Sequence, residues 1–426
     1  MSSAPGPVSR SRRDAVGASS VAAASLWSAA VTYLVMSIAA WVLPKPETTV
    51  LLTFLSALFA VYGVLSGVAL ETTRSVAAAM RDEQAAGPAL GQVAAVVAGC
   101  SAVVVAALTP FWRERVLHGS DGLLVVALVV AVVAYSVHSV VVGATSGHTW
   151  WHQTALVIAG EATLRLLVTV AVVLASATVV GMGVASALGA FAWLVLAARP
   201  GRVRDALRLH ADVPASVLGR RIAASLVGQG AGAVLVVGFP ILLASSTGRA
   251  EYAGAAPLLL AIQLTRAPVL LPLNALQGVA VSHLVRAGSG LARLLARLVA
   301  LVVGVATVGA VLAWLVGPWL LSLLFGAGYD VDGSVLALLT LAAGGTAALT
   351  LTGACAQALA AYGWYVAGWL VALLACVALL QVPGSLEVRT CLALGLAPLA
   401  GLAVHVLGLE RIRRSGRVAR PEAVDA

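Results

Sequence analysis

The stretch QLTRAPVLLPLNALQ, residues Gln263–Gln277, lies within an apolar segment that runs from about residue 255 to residue 285. On a helix, at about 100° per residue, this stretch gathers four polar side chains within roughly 80°: Gln263, Arg266, Asn274 and Gln277. An arginine in a hydrophobic segment is costly, so it normally faces a bundle interior or a wet cavity. The stripe predicts a substrate path along a helix that Pro268 and Pro272 are expected to kink.

The composition of the whole chain is that of a membrane protein. Of its 426 residues, 61% are hydrophobic and 10% are charged, whereas about a quarter of an ordinary soluble domain is charged. Apolar runs of 18 or more residues recur along the chain, and each can cross a hydrocarbon core of ~30 Å. We therefore predict an all-α polytopic membrane protein.

About twelve transmembrane helices are predicted, in two six-helix lobes. They lie at about residues 16–43, 50–70, 90–109, 121–143, 153–175, 178–198, 222–245, 255–285, 298–317, 333–352, 363–380 and 387–409. The corresponding divisions are a disordered cytoplasmic arm at 1–15, an N-terminal lobe at 16–198, a basic cytoplasmic linker at 199–221, a C-terminal lobe at 222–409 and a cytoplasmic tail at 410–426. With the N-terminus inside, 19 of the 26 basic residues fall on the cytoplasmic side, so the positive-inside rule places both termini in the cytoplasm.

A weak internal repeat relates the two halves. Asp121-Gly122 opens the fourth predicted span, and Asp332-Gly333 opens the tenth, 211 positions later. Because six spans is an even number, both halves have the same predicted orientation, as in transporters built from parallel repeats.

The sequence lacks the common signatures of catalysis and metal binding. It contains no GxxxxGK[ST], HExxH or GxSxG motif. The four cysteines have no metal-ligand spacing: Cys100, Cys355, Cys376 and Cys391. The basic residues are spread over loops between spans, which topology explains better than nucleic-acid binding does. We expect a transporter rather than an enzyme, with no cofactor and no metal.

Ionisable residues within the spans are the other candidate cavity residues. Glu161 and Arg165 lie on one face of the fifth span, ~13 and ~20 Å from its cytoplasmic end. They form either a self-neutralising ion pair or part of a cavity that Arg266 also faces. Arg266 has no acid at i±3 or i±4, so it binds an anionic substrate or pairs with another helix, with Glu161 as one candidate. Gln229 is either a cavity group or an interhelical hydrogen-bonding group.

Further polar residues mark the predicted cytoplasmic ends of spans. Glu71 and Arg74 end the second span, and His283 ends the eighth. They are interpreted as a gate or cytoplasmic rim, with snorkelling to the interface as the alternative for Arg74. His138 and His405 lie within spans and are either proton relays or packed side chains.

Three stretches carry a resemblance to a known family. LTRAPVLLPLNALQGVAVSHLV at 264–285, LLFGAGY at 323–329 and ETTR at 71–74 resemble the multidrug/oligosaccharidyl-lipid/polysaccharide (MOP) flippase superfamily, and more narrowly its polysaccharide-export and O-antigen flippases. Lipid II flippases of that superfamily have cavity arginines in their first and eighth spans. Arg266 is in the eighth span here, but the first span contains no arginine.

The resemblance implies two lobes that open alternately to each side of the plasma membrane. The substrate that it implies is a lipid-linked (undecaprenyl-diphosphate) saccharide, moved across the cytoplasmic membrane for cell-surface polysaccharide assembly. The implied partners are this lipid, the phospholipid bilayer and polysaccharide-assembly enzymes, with no nucleic acid. Two alternatives remain: a MATE-like exporter of drugs or other small molecules, and a non-enzymatic membrane subunit of a polysaccharide-synthesis complex.

Overall fold

The computed structural model describes residues 7–82, 85–116, 122–269, 291–359 and 361–414, and these residues are mainly helical. The helices of the first half are α1 Pro7–Val42, α2 Lys45–Arg81, α3 Leu90–Val116, α4 Gly122–Gly147, α5 Trp151–Ser176, α6 Val179–Leu188, α7 Ala192–Ala197 and α8 Arg202–Ala206. Those that follow are α9 Ala215–Val236, α10 Phe239–Ser245, α11 Arg249–Tyr252, α12 Ala256–Val269, α13 Leu291–Phe325, α14 Gly333–Ala358, α15 Tyr362–Leu379 and α16 Leu386–Arg414.

The predicted fold class is confirmed. Among the described residues, ten helical spans are long and apolar enough to cross a membrane. One of these spans is α6 with α7, which a short 3₁₀ turn joins. The helices α9 and α10 together form an eleventh candidate, bent by 66°, and α12 is a shorter apolar helix at the edge of the described residues.

Three pairs of helix starts repeat along the chain with the same offset. Lys45 and Ala256, Gly122 and Gly333, and Trp151 and Tyr362 begin α2 and α12, α4 and α14, and α5 and α15. Each pair is 211 positions apart (256 − 45, 333 − 122, 362 − 151). The offset between the dipeptides Asp121-Gly122 and Asp332-Gly333 is therefore also the offset between the starts of three pairs of helices. This agreement supports a duplicated six-span unit.

The chain forms two compact units, residues 1–233 and residues 234–426. In the first unit, α2 packs on α4, α1 packs on α5, and α3 packs on α4. In the second unit, α14 packs on α13 and α16, and α15 packs on α16. The boundary between the units lies within α9, at residues 233 and 234, and is therefore later in the chain than the predicted linker at 199–221.

Two glycines set the distance between α2 and α4. A Cβ atom added at Gly143 would lie 2.6 Å from the carbonyl oxygen of Ala69, and one added at Gly147 would lie 2.6 Å from that of Thr73. Only a residue without a side chain permits this approach of two backbones. The contact brings the inner faces of α2 and α4 together, and the candidate site lies on those faces.

The structure describes helix within residues 7–15 of the predicted arm, and helix and backbone pairing within the predicted linker. Helix α1 already begins at Pro7, and α9 begins at Ala215, within the predicted linker. The part of the linker between α8 and α9 pairs with the segment between α2 and α3. Ala89 and His210 form an antiparallel bridge, and the Gly87 amide donates to the Ala211 carbonyl at 2.9 Å. These bonds satisfy backbone groups that a disordered linker would leave to water.

Candidate functional site

A buried ion pair on α5 is the centre of the candidate site in the first unit. The Nη1 atom of Arg165 lies 3.0 Å from Oε1 of Glu161, and both side chains are buried. Arg165 also donates to the Thr32 hydroxyl on α1 at 3.2 Å. Its guanidinium carbon lies 4.9 Å from the centre of the Phe59 ring on α2. The cation is therefore held by three helices, which offsets much of the cost of burying it.

An aromatic stack lies beside this pair. The rings of Tyr62 on α2 and Tyr135 on α4 stack at a centroid distance of 3.6 Å, and the Tyr135 and His138 rings stack at 4.6 Å. The Tyr62 hydroxyl, the His138 Nδ1 atom and the Arg165 Nε atom are buried and have no hydrogen-bond partner in the described part of the protein. Buried polar atoms are normally hydrogen-bonded, so these three point to water or a ligand.

The cavity next to the stack has a volume of about 220 Å³. Its polar lining consists of hydroxyl, imidazole and carboxyl groups from Ser28, Ser66, Tyr135, His138, Ser139 and Glu161. One water occupies ~30 Å³ of liquid, so the cavity has room for several waters or a small polar group. Because Arg165 neutralises Glu161, this lining suits an uncharged, hydroxyl-rich group better than a cation.

The 3₁₀ turn between α6 and α7 packs directly on the ion pair. A Cβ atom added at Gly189 would lie 2.9 Å from Cβ of Arg165 and 3.1 Å from Oε1 of Glu161. The turn interrupts the α-helical geometry of an apolar span, and its Gly189 and Ala190 are buried. There is therefore no room for a side chain at residue 189 between this turn and the ion pair.

In the second unit, Arg266 contacts the break between α9 and α10. Its Nη1 atom donates to the Val236 carbonyl, and its guanidinium lies 5.9 Å from the Phe239 ring centre. In a continuous helix, that carbonyl would accept from the amide of residue 240, but Pro240 has no N–H. Arg266 thus supplies the Val236 carbonyl with a hydrogen-bond donor in place of the N–H that Pro240 lacks.

Only part of the predicted polar stripe lies within the described residues. Gln263 is partly buried and Arg266 is buried, while Pro268 on the other side of α12 is exposed. Asn274 and Gln277, and likewise His283, lie outside the described residues. Gln229 is a partly buried residue of α9. The role of these residues in a substrate cavity stays a prediction.

Glu71 and Arg74, predicted as a gate or rim, attach the linker to α2. Arg74 donates from Nη2 to Glu71 at 2.6 Å, and from Nη1 to Asp212 of the linker at 3.1 Å. Asp212 also accepts from the Ser75 hydroxyl at 2.7 Å. Burial alone would raise the pKa of Asp212, but hydrogen bonds from Ser75 and Arg74 outweigh it and keep that pKa below its usual value. We call Glu71, Arg74, Ser75 and Asp212 the linker clasp.

The two intramembrane histidines differ. In the second unit, His405 is fully bonded, with Nδ1 3.0 Å from the Thr352 hydroxyl and Nε2 3.1 Å from the Tyr365 carbonyl. His405 is therefore a packed structural residue. His138 instead lines the polar cavity, and its buried Nδ1 atom has no hydrogen-bond partner among the residues that the structure describes.

The sequence contains a signal for this cavity in the spacing of three polar residues on α4. Tyr135, His138 and Ser139 are spaced i, i+3 and i+4, so they share one face of α4. The 100° projection that identified the stripe around Arg266 would have identified this one. Tyr62 is different, because its contact with Tyr135 depends on the register of α2 against α4.

The polar cluster occurs in one half of the repeat. At the offset of 211, Tyr135 corresponds to Thr346, His138 to Leu349, Glu161 to Ala372 and Arg165 to Cys376. Helices α14 and α15 thus form without the aromatic and charged groups of α4 and α5. The fold does not require the cluster, which makes a functional role the better explanation.

Comparison with known sequences finds relatives along nearly the whole chain. The uncharacterized protein Rv1510 of Mycobacterium tuberculosis is 36% identical over 413 residues, which cover 95% of this chain and 93% of the relative. The uncharacterized protein Rv3630 of the same species is 35% identical over 391 residues, 90% of each chain. No protein-family model matches the chain.

Comparison with solved structures gives transporters of one superfamily. An inward-facing multidrug resistance MATE family transporter of the MOP superfamily has a TM-score of 0.70 at 13% identity, covering 95% of this chain and 100% of that one. A MOP superfamily transporter from Pyrococcus furiosus, whose reversed binding-pocket polarity suggests a different function, has a TM-score of 0.67 at 14% identity, covering 95% and 96%. The resemblance to the MOP superfamily is therefore confirmed at the level of the fold.

Proposed function

We propose that this chain, which belongs to the same protein family as Rv1510 and Rv3630 of Mycobacterium tuberculosis, is an alternating-access flippase. Its substrate is a lipid-linked (undecaprenyl-diphosphate) saccharide, carried across the cytoplasmic membrane for cell-surface polysaccharide assembly. The protein spans that membrane with both termini in the cytoplasm. The MOP fold supports the transport class, while the substrate is argued from the residues.

The observation that carries the proposal is the cavity of the first unit. Glu161 lines the cavity and is compensated by Arg165 behind it, so the cavity offers polar groups with little net charge. Serine hydroxyls and the Tyr135 ring complete the lining. Sugars present many hydroxyls and an apolar ring face, and such groups match a lining of this kind.

The one-sided distribution of the cluster supports the same conclusion. A buried ion pair is weak evidence for stability, because its desolvation cost can exceed the attraction within it. The corresponding helices of the second unit have Ala372 and Cys376 in place of Glu161 and Arg165. The ion pair is costly to bury, and the duplicated helices form without it. Substrate binding explains why the first unit has it.

A small-molecule exporter is the second candidate, because the fold is shared with a multidrug resistance MATE transporter. An exporter of cations would favour an uncompensated carboxylate in the cavity. Glu161 is compensated by Arg165 at 3.0 Å. The electrostatics of the described cavity therefore favour the saccharide over a cationic drug.

The test removes the ion pair as a unit. In proteoliposomes, the double variant Glu161→Gln/Arg165→Met should slow the appearance of a fluorescent lipid-linked oligosaccharide in the opposite leaflet by about 10- to 100-fold, because each hydrogen bond to a charged group contributes ~1.5–3 kcal/mol. Removing both charges avoids leaving one of them buried alone.

Glu251→Gln/Arg389→Met is the matched control. It removes an ion pair of similar length, 2.9 Å, that joins the start of α16 to α11 in the second unit. This variant should transport at the wild-type rate. Wild-type protein that exports a cationic dye and does not move the lipid-linked oligosaccharide would refute the proposed substrate.

A further inference from the structure

An apolar groove of about 470 Å³ runs between α3 and α9 in the first unit. Its lining extends from Pro88 to Ser101 on the α3 side and from Ala215 to Leu226 on the α9 side. Ligand sites are typically ~300–1,000 Å³. We propose that this groove holds the polyprenyl chain of the lipid-linked substrate while its headgroup is transported, an inference that rests on the proposed function.

The groove faces the surface that lipid covers. Among the described spans of the first unit, α3 has the smallest buried share, 17% of its most apolar window. Val96 lines the groove and is 64% exposed. A residue of this kind on a membrane-spanning helix contacts hydrocarbon, so a chain lying in the groove would remain continuous with the bilayer.

The length of the groove suits one leaflet. The α3 lining extends from Pro88 to Ser101, which is ~20 Å at 1.5 Å per residue. The hydrocarbon core is ~30 Å thick, so the groove runs from one membrane surface past the middle of the bilayer. A chain in it could accompany a headgroup that moves toward mid-membrane.

The end of the groove at the linker is positively charged. Arg220 and Arg221 follow the lining residue Gly219, and both are exposed. Arg221 lies 3.6 Å from Asp212 of the linker clasp. Guanidinium groups bind phosphate oxygens in a bidentate manner, and the interface is the depth at which a lipid phosphate lies.

This combination favours a polyprenyl diphosphate over a membrane phospholipid. A single groove matches a lipid with one hydrocarbon chain, whereas a glycerophospholipid has two chains. Arg220, which is exposed and follows the lining residue Gly219, supplies a cation for a phosphate at this position. We therefore assign the groove to the prenyl carrier.

Gly219 provides a way to fill the groove without disturbing the protein. A Cβ atom added at Gly219 meets no heavy atom within 4 Å, so Gly219→Leu projects into open space. Gly99 on α3 also has open space around an added Cβ, but it does not line the groove. Gly99→Leu is therefore the matched control for added bulk on a membrane-facing helix.

The experiment uses full-length protein in phosphatidylcholine nanodiscs and a polyprenyl diphosphate with a diazirine on its chain. Photolysis should give adducts in peptides that cover residues 88–101 and 215–226. Gly219→Leu should reduce them by about tenfold, which corresponds to ~1.4 kcal/mol of affinity. Gly99→Leu should leave them unchanged, and Arg220→Gln should weaken labelling through the headgroup.

Two results would overturn the assignment. One is equal labelling of the Gly219→Leu and wild-type proteins. The other is competition by phosphatidylglycerol as strong as that by unlabelled polyprenyl diphosphate, because the groove would then be a general lipid site. Transport by the wild-type protein without groove labelling would refute this inference alone. Groove labelling without saccharide transport would refute the proposed function and leave the groove assignment standing.

Discussion

At the scale of single residues, two of the buried arginines, Arg165 and Arg266, have different partners. Arg165 neutralises a carboxylate beside a polar cavity, whereas Arg266 donates to a backbone carbonyl at a helix break. Both were candidate cavity residues by sequence, because each is a cation in an apolar segment. The cost of such a cation can be offset by an acid, a carbonyl or a ligand, and sequence position does not distinguish these.

Gly189→Ala tests how tightly the ion pair is held. The new methyl group would lie 2.9 Å from Arg165 Cβ and 3.0 Å from the Glu161 carbonyl oxygen, closer than normal contact. We expect a loss of ~1–3 kcal/mol, as for other overpacked interiors, measured as a lower midpoint of thermal unfolding in detergent.

Gly160→Ala is the control for that substitution. It lies on α5, one residue before Glu161, and its added Cβ would be 3.6 Å from Ala192 Cβ, an ordinary contact. This variant should unfold at or slightly above the wild-type midpoint, because alanine has the higher helix propensity. Equal losses in the two variants would mean that Gly189 has no special relation to the ion pair.

At the scale of elements, the spans were largely predictable and the break in one of them was not predicted. Apolar runs placed α4 and α5 within a few residues of their observed bounds, because length and hydropathy suffice for a membrane-spanning helix. The span predicted at 222–245 is instead bent by 66° between α9 and α10. Gly238 and Pro240 were the available signal, since proline cannot donate to the carbonyl four residues earlier.

A double-mutant cycle tests the role of Arg266 at that break. Arg266→Gln should destabilise the protein by ~1–3 kcal/mol, because the Val236 carbonyl loses a charged donor. In a Pro240→Ala background, the amide of residue 240 can bond that carbonyl, so the same substitution should cost at least ~0.5 kcal/mol less. The measurement is the unfolding midpoint of all four proteins, and strictly additive effects would contradict the assignment.

Contacts between distant segments account for most of what sequence could not predict. The linker clasp joins Asp212 to Ser75, and the aromatic stack joins Tyr62 to Tyr135. Each depends on the register of one element against another, which hydrophobic periodicity does not define. By contrast, the ion pair between Glu161 and Arg165 lies within one helix and followed from their spacing.

At the scale of the whole molecule, the predicted topology has six spans in each half and the linker in the cytoplasm, as the distribution of arginines favours. Two exposed glycines provide the test, Gly201 in the linker and Gly248 after α10, because an added Cβ meets no atom within 4 Å at either.

In intact cells, a membrane-impermeant maleimide should label Gly248→Cys but not Gly201→Cys. Permeabilisation should make Gly201→Cys reactive as well. Labelling of Gly201→Cys in intact cells would overturn the six-plus-six topology, because it would place the linker outside. The wild-type protein serves as the background control, since its cysteines all lie in apolar segments.

The length of α2 has a consequence for how the first unit responds to ionic strength. With 37 residues, α2 is ~55 Å long at 1.5 Å per residue and exceeds the ~30 Å hydrocarbon core. The linker clasp at its end is therefore within reach of dissolved ions, whereas the pair between Glu161 and Arg165 is not. Between 0.1 M and 1 M salt, the Debye length falls from about 10 Å to about 3 Å. High salt thus weakens the attachment of the linker and leaves the charges of the cavity unscreened.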